Sequence, residues 1–134
     1  APGRPWEWVD AAWDSVSRTL HTNTSRLGAF ALLRDDAPPE VTPRPAPAHS
    51  QRGAYSRWEL TAHAVDRASG VDGRNSALTV DGIRVPTEWD AERSVLRWRP
   101  LHAPPAGRHR FQVEVVDHAG NRAVRTGAFV ITSR

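Results

Sequence analysis

The sequence contains no cysteine, no methionine and no lysine. Without cysteine, the fold has neither disulfide bonds nor thiolate metal ligands. Because lysine is absent, all 18 basic residues are arginine, and 15 acidic residues reduce the net charge to +3. A GC-rich genome that favours Arg, Ala, Pro and Gly codons explains this composition better than a nucleic-acid role does. We therefore expect no nucleic-acid partner.

Long apolar runs are also missing, so no segment has the length that a membrane-spanning helix needs. The 134 residues are 39% hydrophobic, which allows one domain with a core, or one domain and a fragment of another. The 9 glycines and 11 prolines indicate many loops, at a level still below that of low-complexity chains.

Catalytic signatures are missing as well. The six histidines show neither the His-x-His nor the His-Glu-x-x-His spacing with which zinc hydrolases arrange their ligands. There is no Gly-x-Ser-x-Gly nucleophile motif and no glycine-rich phosphate loop. The glutamates lie scattered at positions predicted to face outward or to lie in turns, so no glycosidase pair is indicated. We expect a protein that is not an enzyme and has no cofactor, calcium aside.

Two acidic turn motifs are the clearest positive signal. The motif Asp66–Asp72 follows alternating residues 58–64, and the motif Asp117–Asn121 follows alternating residues 111–115. A period of two indicates half-buried strands, and the Gly, Ser and Asn of the motifs are turn formers. If the two strands face each other across a core, the leading aspartates meet at one end of a β-sandwich.

Two roles are open for these acidic side chains. Asp66, Asp72 and Asp117, with the side-chain carbonyl of Asn121, form a candidate calcium site of oxygen ligands. Alternatively, each aspartate caps its own turn and needs no cation. We favour the turn caps as the simpler interpretation.

Alternation between turn signals predicts further strands. Asp81 and Gly82 together are a strong two-residue hairpin signal. The predicted strands are residues 57–65, 77–80, 83–85, 88–89, 95–99, 109–116 and 123–131. About seven short strands separated by turns are typical of an all-β sandwich.

The turn motifs, taken in order, resemble those of bacterial immunoglobulin-like domains in surface and secreted proteins. The matching stretches are Asp66–Asp72, Val80–Gly82, Trp89–Asp90, Gly107–His109 and Asp117–Asn121. The resemblance implies an immunoglobulin-like β-sandwich of about seven strands. It also implies a location in the periplasm or on the extracellular face of the bacterial envelope.

A shorter stretch, Leu27–Asp35 followed by Pro38 and Pro39, is similar to the end of a β-domain that precedes such modules. C-terminal tails of lysostaphin-type peptidoglycan peptidases have this junction. The similarity implies that residues 1–36 are the remnant strands of a preceding β-domain. The peptidase activity is not implied, because the zinc-binding histidine spacing of that family is missing here.

Residues 1–36 admit two interpretations from their own pattern. Apolar residues spaced by three and four from Trp6 to Leu20 fit an amphipathic helix. Alternation instead indicates strands near 6–9, 17–22 and 28–34. We favour a short β extension, because residues 17–23 are mediocre helix formers.

Prolines mark the boundary between this extension and the sandwich. The breaker at residues 35–39 ends the first section, and the prolines of residues 43–47 require an extended chain that wraps a sheet edge. The predicted organisation is an N-terminal extension at 1–36, a proline-rich linker or edge segment at 37–56, and the sandwich at 57–134.

Six tryptophans divide into two predicted groups. Trp58 and Trp98 lie on apolar strand phases and are assigned to the core. The other four lie in the N-terminal section or in a turn, where exposed aromatic residues suit a protein interface. The predicted partner-binding residues are Trp6, Trp8, Trp13, Arg44 and Trp89.

These observations predict a non-catalytic structural and protein-docking module of a bacterial envelope protein. Its partner is expected within a larger membrane-associated complex, which the chain stabilises as an accessory subunit. One alternative is a carbohydrate- or peptidoglycan-binding module that uses exposed tryptophans as stacking platforms. A third is a non-catalytic fragment of a peptidoglycan hydrolase.

Overall fold

A computed structural model describes residues 6–47 and 58–132, and these residues form strands and loops without a helix. The strands are β1 (Ala12–Asp14), β2 (Thr19–His21), β3 (Glu40–Pro47), β4 (Trp58–Val65), β5 (Ala77–Val80), β6 (Ile83–Val85), β7 (Glu88–Asp90), β8 (Val95–Trp98), β9 (Gly107–Val116) and β10 (Arg122–Ile131). The described residues accordingly include no helix long and apolar enough to cross a membrane. The all-β prediction is confirmed.

Two four-stranded antiparallel sheets make up the sandwich. One sheet has the order β3-β4-β8-β7 and the other has the order β10-β9-β5-β6, while β1 and β2 form a separate hairpin. Asp81 and Gly82 both have positive φ, at 49° and 81°, as the tight β5–β6 hairpin requires. Seven of the eight sandwich strands match the spans predicted from alternation to within two residues, and β3 was not among the predicted strands.

The core lies between the two sheets and is built from the inward phase of their strands. Leu60 of β4 and Leu96 of β8 meet Leu78 of β5 and Val113 of β9, and all four side chains are fully buried. Trp58 joins this core and Trp98 packs against it, as their positions on apolar phases predicted.

The proline-rich stretch forms β3, an edge strand that pairs with β4 on one side only. Pro43, Pro45 and Pro47 have no N–H to donate, so an edge position is where a sheet tolerates them. Residues 40–47 thus form one strand at the edge of the four-stranded sheet. The remaining part of the predicted linker, residues 48–56, lies outside the described residues.

The N-terminal section matches its prediction in part. It is a short β extension in which β2 lies within the predicted strand at 17–22 and pairs with β1 as a hairpin. The helix and the strands at 6–9 and 28–34 are not present. Asp14 caps its turn by accepting a hydrogen bond from the backbone N–H of Val16 at 2.9 Å. The predicted buried strand at 28–34 is an exposed chain, because no described strand lies beside it to pair with its backbone.

His109 on β9 joins the β5–β6 hairpin to the loop before β9. Its Nδ1 lies 2.6 Å from Oδ2 of Asp81, and its Nε2 lies 2.8 Å from the carbonyl oxygen of Pro105. Both neighbours accept hydrogen bonds, so only the protonated ring, with two N–H donors, satisfies both. The bond to Asp81, with a further contribution from Pro105, raises the pKa of His109 above its usual value. The same bond lowers the pKa of Asp81.

We expect stability to fall as the pH rises above about 6.5 through the raised pKa of His109. The folded state binds this proton more tightly than the unfolded state, so its contribution is complete below the unfolded pKa and is lost as the folded group deprotonates. The pKa of Asp81 is shifted in the opposite direction, so the contribution of Asp81 to stability is lost as the pH falls below its usual pKa of 3.8. Urea unfolding, measured from below the usual pKa of Asp81 to above the raised pKa of His109, tests both pH dependences.

His109→Gln removes the titrating group, and the fall above neutral pH should disappear in this variant. The exposed His63 provides the matched control, since His63→Gln should retain the wild-type fall. If the free energy of unfolding changed with pH in the same way in the wild type and in His109→Gln, His109 would not be the group responsible for the fall.

Candidate functional site

The two acidic turns lie together at one end of the sandwich and are hydrogen-bonded to each other. The backbone N–H of Asp72 donates to the carbonyl of Val116 at 2.8 Å, and that of His118 donates to the carbonyl of Gly70 at 3.0 Å. Val71 also forms an antiparallel bridge with Asp117. The turns therefore join the two sheets, since one follows β4 and the other follows β9.

Each leading aspartate caps its own turn. Oδ1 of Asp66 accepts hydrogen bonds from the backbone of Ala68 at 3.2 Å and of Gly70 at 2.6 Å. Asp117 is 1% exposed and accepts two bonds from Asn121, one from its backbone and one from its side chain, both at 2.8 Å. These backbone bonds support the turn-cap interpretation.

Asp35 joins this pair, and the sequence analysis did not identify it. Its Oδ2 accepts from Oγ of Ser69 at 2.6 Å and from the Ser69 backbone at 3.1 Å. Its carbonyl accepts from the side chain of Asn121 at 3.0 Å. The Ser69 hydroxyl, which is the largest cause, lowers the pKa of Asp35. We call Asp35 together with these two turns the Asp35 socket.

The candidate calcium ligands are arranged differently from the prediction. Asp35, Asp66 and Asp117 each place a carboxylate oxygen within 4.8 Å of the others. Asp72 lies outside this group and caps the following turn, where it accepts bonds from Arg74 and Asn75. Asn121 donates its side-chain N–H to Asp117. Of the four predicted ligands, Asp66 and Asp117 therefore belong to the acidic cluster, and Asn121 adjoins it through this bond.

The chain before Asp35 presents most of the exposed apolar surface. We call residues 6–34 the arm. Nine of the thirteen exposed large hydrophobic residues in the described chain lie in it; they are Trp6, Trp8, Trp13, Val16, Leu20, Leu27, Phe30, Leu32 and Leu33. Trp8 also stacks on His118 of the second turn, with ring centroids 5.2 Å apart. The arm is thus attached to the socket at two points, and these apolar side chains otherwise face solvent.

Two predicted partner-binding residues lie elsewhere. Arg44 is exposed on β3, at a distance along the chain from the arm. Trp89 was predicted to be exposed, but it is half-buried and packs against the core. Gly73 lies directly beneath its ring, where any Cβ would overlap the indole. Trp89 is therefore part of the packed sandwich, unlike the exposed tryptophans of the arm.

Trp89 lines a cleft of about 500 Å³ between residues 73–76, which follow the first acidic turn, and the β6–β7 connection. Arg74 and Arg84 line the same cleft. Sequence reasoning could not group these residues, because two sheets contribute them. The cleft combines an aromatic ring with two cationic side chains.

Comparisons of the chain with protein-family models, curated proteins and solved structures find no match. The arm, the socket and the cleft are therefore the features of the molecule that bear on its function.

Replacing Ser69 with alanine should weaken the socket. Ser69 is buried and links Asp35 to the second turn, since its Oγ also accepts from the backbone of Ala119 at 3.3 Å. Leaving these partners unsatisfied should cost about 1–3 kcal/mol of unfolding free energy and make the arm more sensitive to proteolysis. Thr132→Ala, at an exposed position after β10, is the control. Equal stability and equal cleavage in both variants would show that the socket does not hold the arm.

Calcium at about 1 mM, within the range for extracellular calcium modules, should leave the melting temperature unchanged. The reason is that protein donors already engage each carboxylate of the cluster. Thermal denaturation with and without calcium tests this. A rise that Asp66→Ala abolishes and Asp72→Ala retains would instead establish a cation at the cluster.

Proposed function

We propose that this chain is a non-catalytic structural and protein-docking module, an immunoglobulin-like domain of a bacterial envelope protein. Its docking element is the arm, and its role is that of an accessory subunit in a larger membrane-associated complex. The observation that carries this proposal is the concentration of exposed large hydrophobic side chains between Trp6 and Leu33. Contiguous apolar surface of this kind marks interaction sites on proteins.

The attachment of the arm supports docking rather than an unstructured tail. Asp35 fixes the end of the arm, and Trp8 stacks on the sandwich near its beginning. Both attachments hold the arm close to one end of the sandwich before any partner arrives. A binding element that is already ordered loses less conformational entropy on association.

The strand order supports the immunoglobulin-like part of the proposal. Taken as strands A to G, with C′ after C, the chain gives A-B-E-D in one sheet and G-F-C-C′ in the other. This is the arrangement of immunoglobulin domains, in which the second and sixth strands face each other across the core. Immunoglobulin-like domains serve many functions. The strand order therefore supports only the fold in the proposal, and the docking function is supported by the arm.

Trp6→Ala combined with Trp13→Ala should reduce retention in the native complex roughly 30-fold or more, as loss of an aromatic hot spot does. Copurification through a C-terminal tag measures this. The melting temperature should stay unchanged, because both rings are exposed. Ile83→Ala, which removes an exposed side chain of β6, should leave retention intact. Undiminished retention of the double variant would overturn docking through the arm tryptophans.

A second function, saccharide binding, is favoured by the cleft at Trp89. An aromatic ring beside Arg74 and Arg84 suits a sugar that carries a carboxylate, as the muramic acid of peptidoglycan does. Titration calorimetry with soluble peptidoglycan fragments should then show binding at concentrations up to about 1 mM. Arg74→Ala with Arg84→Ala should weaken this binding roughly tenfold or more, whereas Arg44→Ala should not. No heat of binding at that concentration would eliminate the saccharide function.

A further inference from the structure

The segment Leu27–Leu33 is an exposed apolar stretch without a strand beside it. Its side chains include Leu27 and Leu32, which are 103% and 81% exposed. None of its backbone N–H or C=O groups is hydrogen-bonded to another described residue. Every strand of the sandwich, by contrast, pairs with at least one neighbour. A run of apolar residues with free backbone groups is the form in which peptides add to sheet edges.

The segment is apolar on both of its faces. In an extended chain, Leu27 and Leu33 lie on one side with two alanines, while Phe30 and Leu32 lie on the other. A strand with one face in water alternates with polar residues, whereas a continuous apolar run is typical of a strand covered on both faces. The partner must therefore supply apolar cover on both sides as well as a backbone edge.

We infer that Leu27–Leu33 adds as a strand to the unpaired edge of a β-sheet in a different protein. This inference rests on the proposed docking function and identifies the docking element and the kind of partner. Arg26 and Arg34 border the segment, so the receiving sheet is expected to carry acidic residues at the ends of its edge strand. The present partners of these arginines, Glu7 and Asp36, form exposed ion pairs, which are weak enough to exchange.

The described edges of this chain are poor acceptors for the segment, which argues against a second copy as the partner. The edge strand β3 contains three prolines, and β1, β2, β6 and β7 are three residues long. The remaining described edge, β10, is long enough but carries Arg122 and Arg125. Registers that bring these residues opposite Arg26 or Arg34 place like charges on paired strands, which is destabilising.

The socket places the segment for this role. Asp35 lies two residues after Leu33 and is hydrogen-bonded to Ser69 and Asn121. One end of the added strand is consequently fixed on the sandwich, and the sandwich is held at the rim of the partner sheet. Strand addition therefore fixes the position of the sandwich next to its partner.

Hydrogen exchange on the full, C-terminally tagged protein tests this inference. The native complex is isolated from the source cells through the tag, and amide exchange in D₂O is compared with that of the isolated chain. We expect alternate amides of residues 27–33, those that face the edge strand of the partner, to exchange roughly 100-fold more slowly in the complex, because sheet pairing protects them. Contacts made by side chains alone would leave these amides unprotected and would overturn the inference.

Paired substitutions at Gly28 and Ala31 separate a strand from a helix. The N–H groups of these two residues point to opposite sides of an extended chain, so Gly28→Pro combined with Ala31→Pro removes a donor on whichever side meets the partner sheet. This variant should reduce copurification roughly tenfold or more. Gly28→Val combined with Ala31→Val adds residues that favour strands over helices and should retain the complex. Equal copurification of the two variants, or loss of the complex in the valine variant alone, would contradict strand addition. Unchanged melting of the sandwich in both variants shows that the fold is intact.

The outcomes distinguish the inference from the proposal on which it rests. A complex that forms with residues 27–33 unprotected would leave docking valid and reject strand addition. Protection that already appears in the concentrated, isolated chain would show that the acceptor is a second copy, which rejects the stated partner. Recovery of the chain alone would reject both docking and strand addition.

Discussion

The hydrogen bonding of the two acidic turns is the constraint on which the rest of the structure depends. Asp117 is almost completely buried and takes its donors from Asn121 within its own turn. A buried carboxylate is tolerated only when donors satisfy it, so the turn has to adopt this conformation. The adjoining turn then pairs with it through Asp72 and His118. The two sheets are thereby joined at the end where their inner strands leave the core.

The same turns determine where the arm lies. Ser69 of the first turn and Asn121 of the second both bond to Asp35, and His118 supports Trp8. The hydrogen-bonded turns that join the two sheets at this end of the sandwich therefore also hold the proposed docking element. This explains why polar groups are concentrated so densely in one place. In the proposed docking role, the acidic cluster acts by holding Asp35 and the two turns in position.

The sandwich and the arm differ in how far their apolar side chains are buried. In the sandwich, the alternating residues of β4, β5, β8 and β9 bury one phase against the other sheet. In the arm, both phases are apolar near Leu32 and neither is covered. Burial of the second kind of surface requires something outside the described residues, because the sandwich core is already filled by its own strands. This exposed apolar surface of the arm is the observation that supports a partner.

Period-two alternation and the turn residues determined the sandwich strands, the β5–β6 hairpin and the meeting of Asp66 with Asp117, because these depend on local geometry and on the pairing of faces. Tertiary structure alone decided that Asp35 completes the socket and that Trp89 packs over Gly73. Each of these contacts joins residues whose separation carries no periodic signal. Tertiary structure also decided that residues 28–34 remain unpaired. A strand pattern in the sequence indicates that a segment can pair with a neighbouring strand, but it does not determine whether such a strand lies beside it.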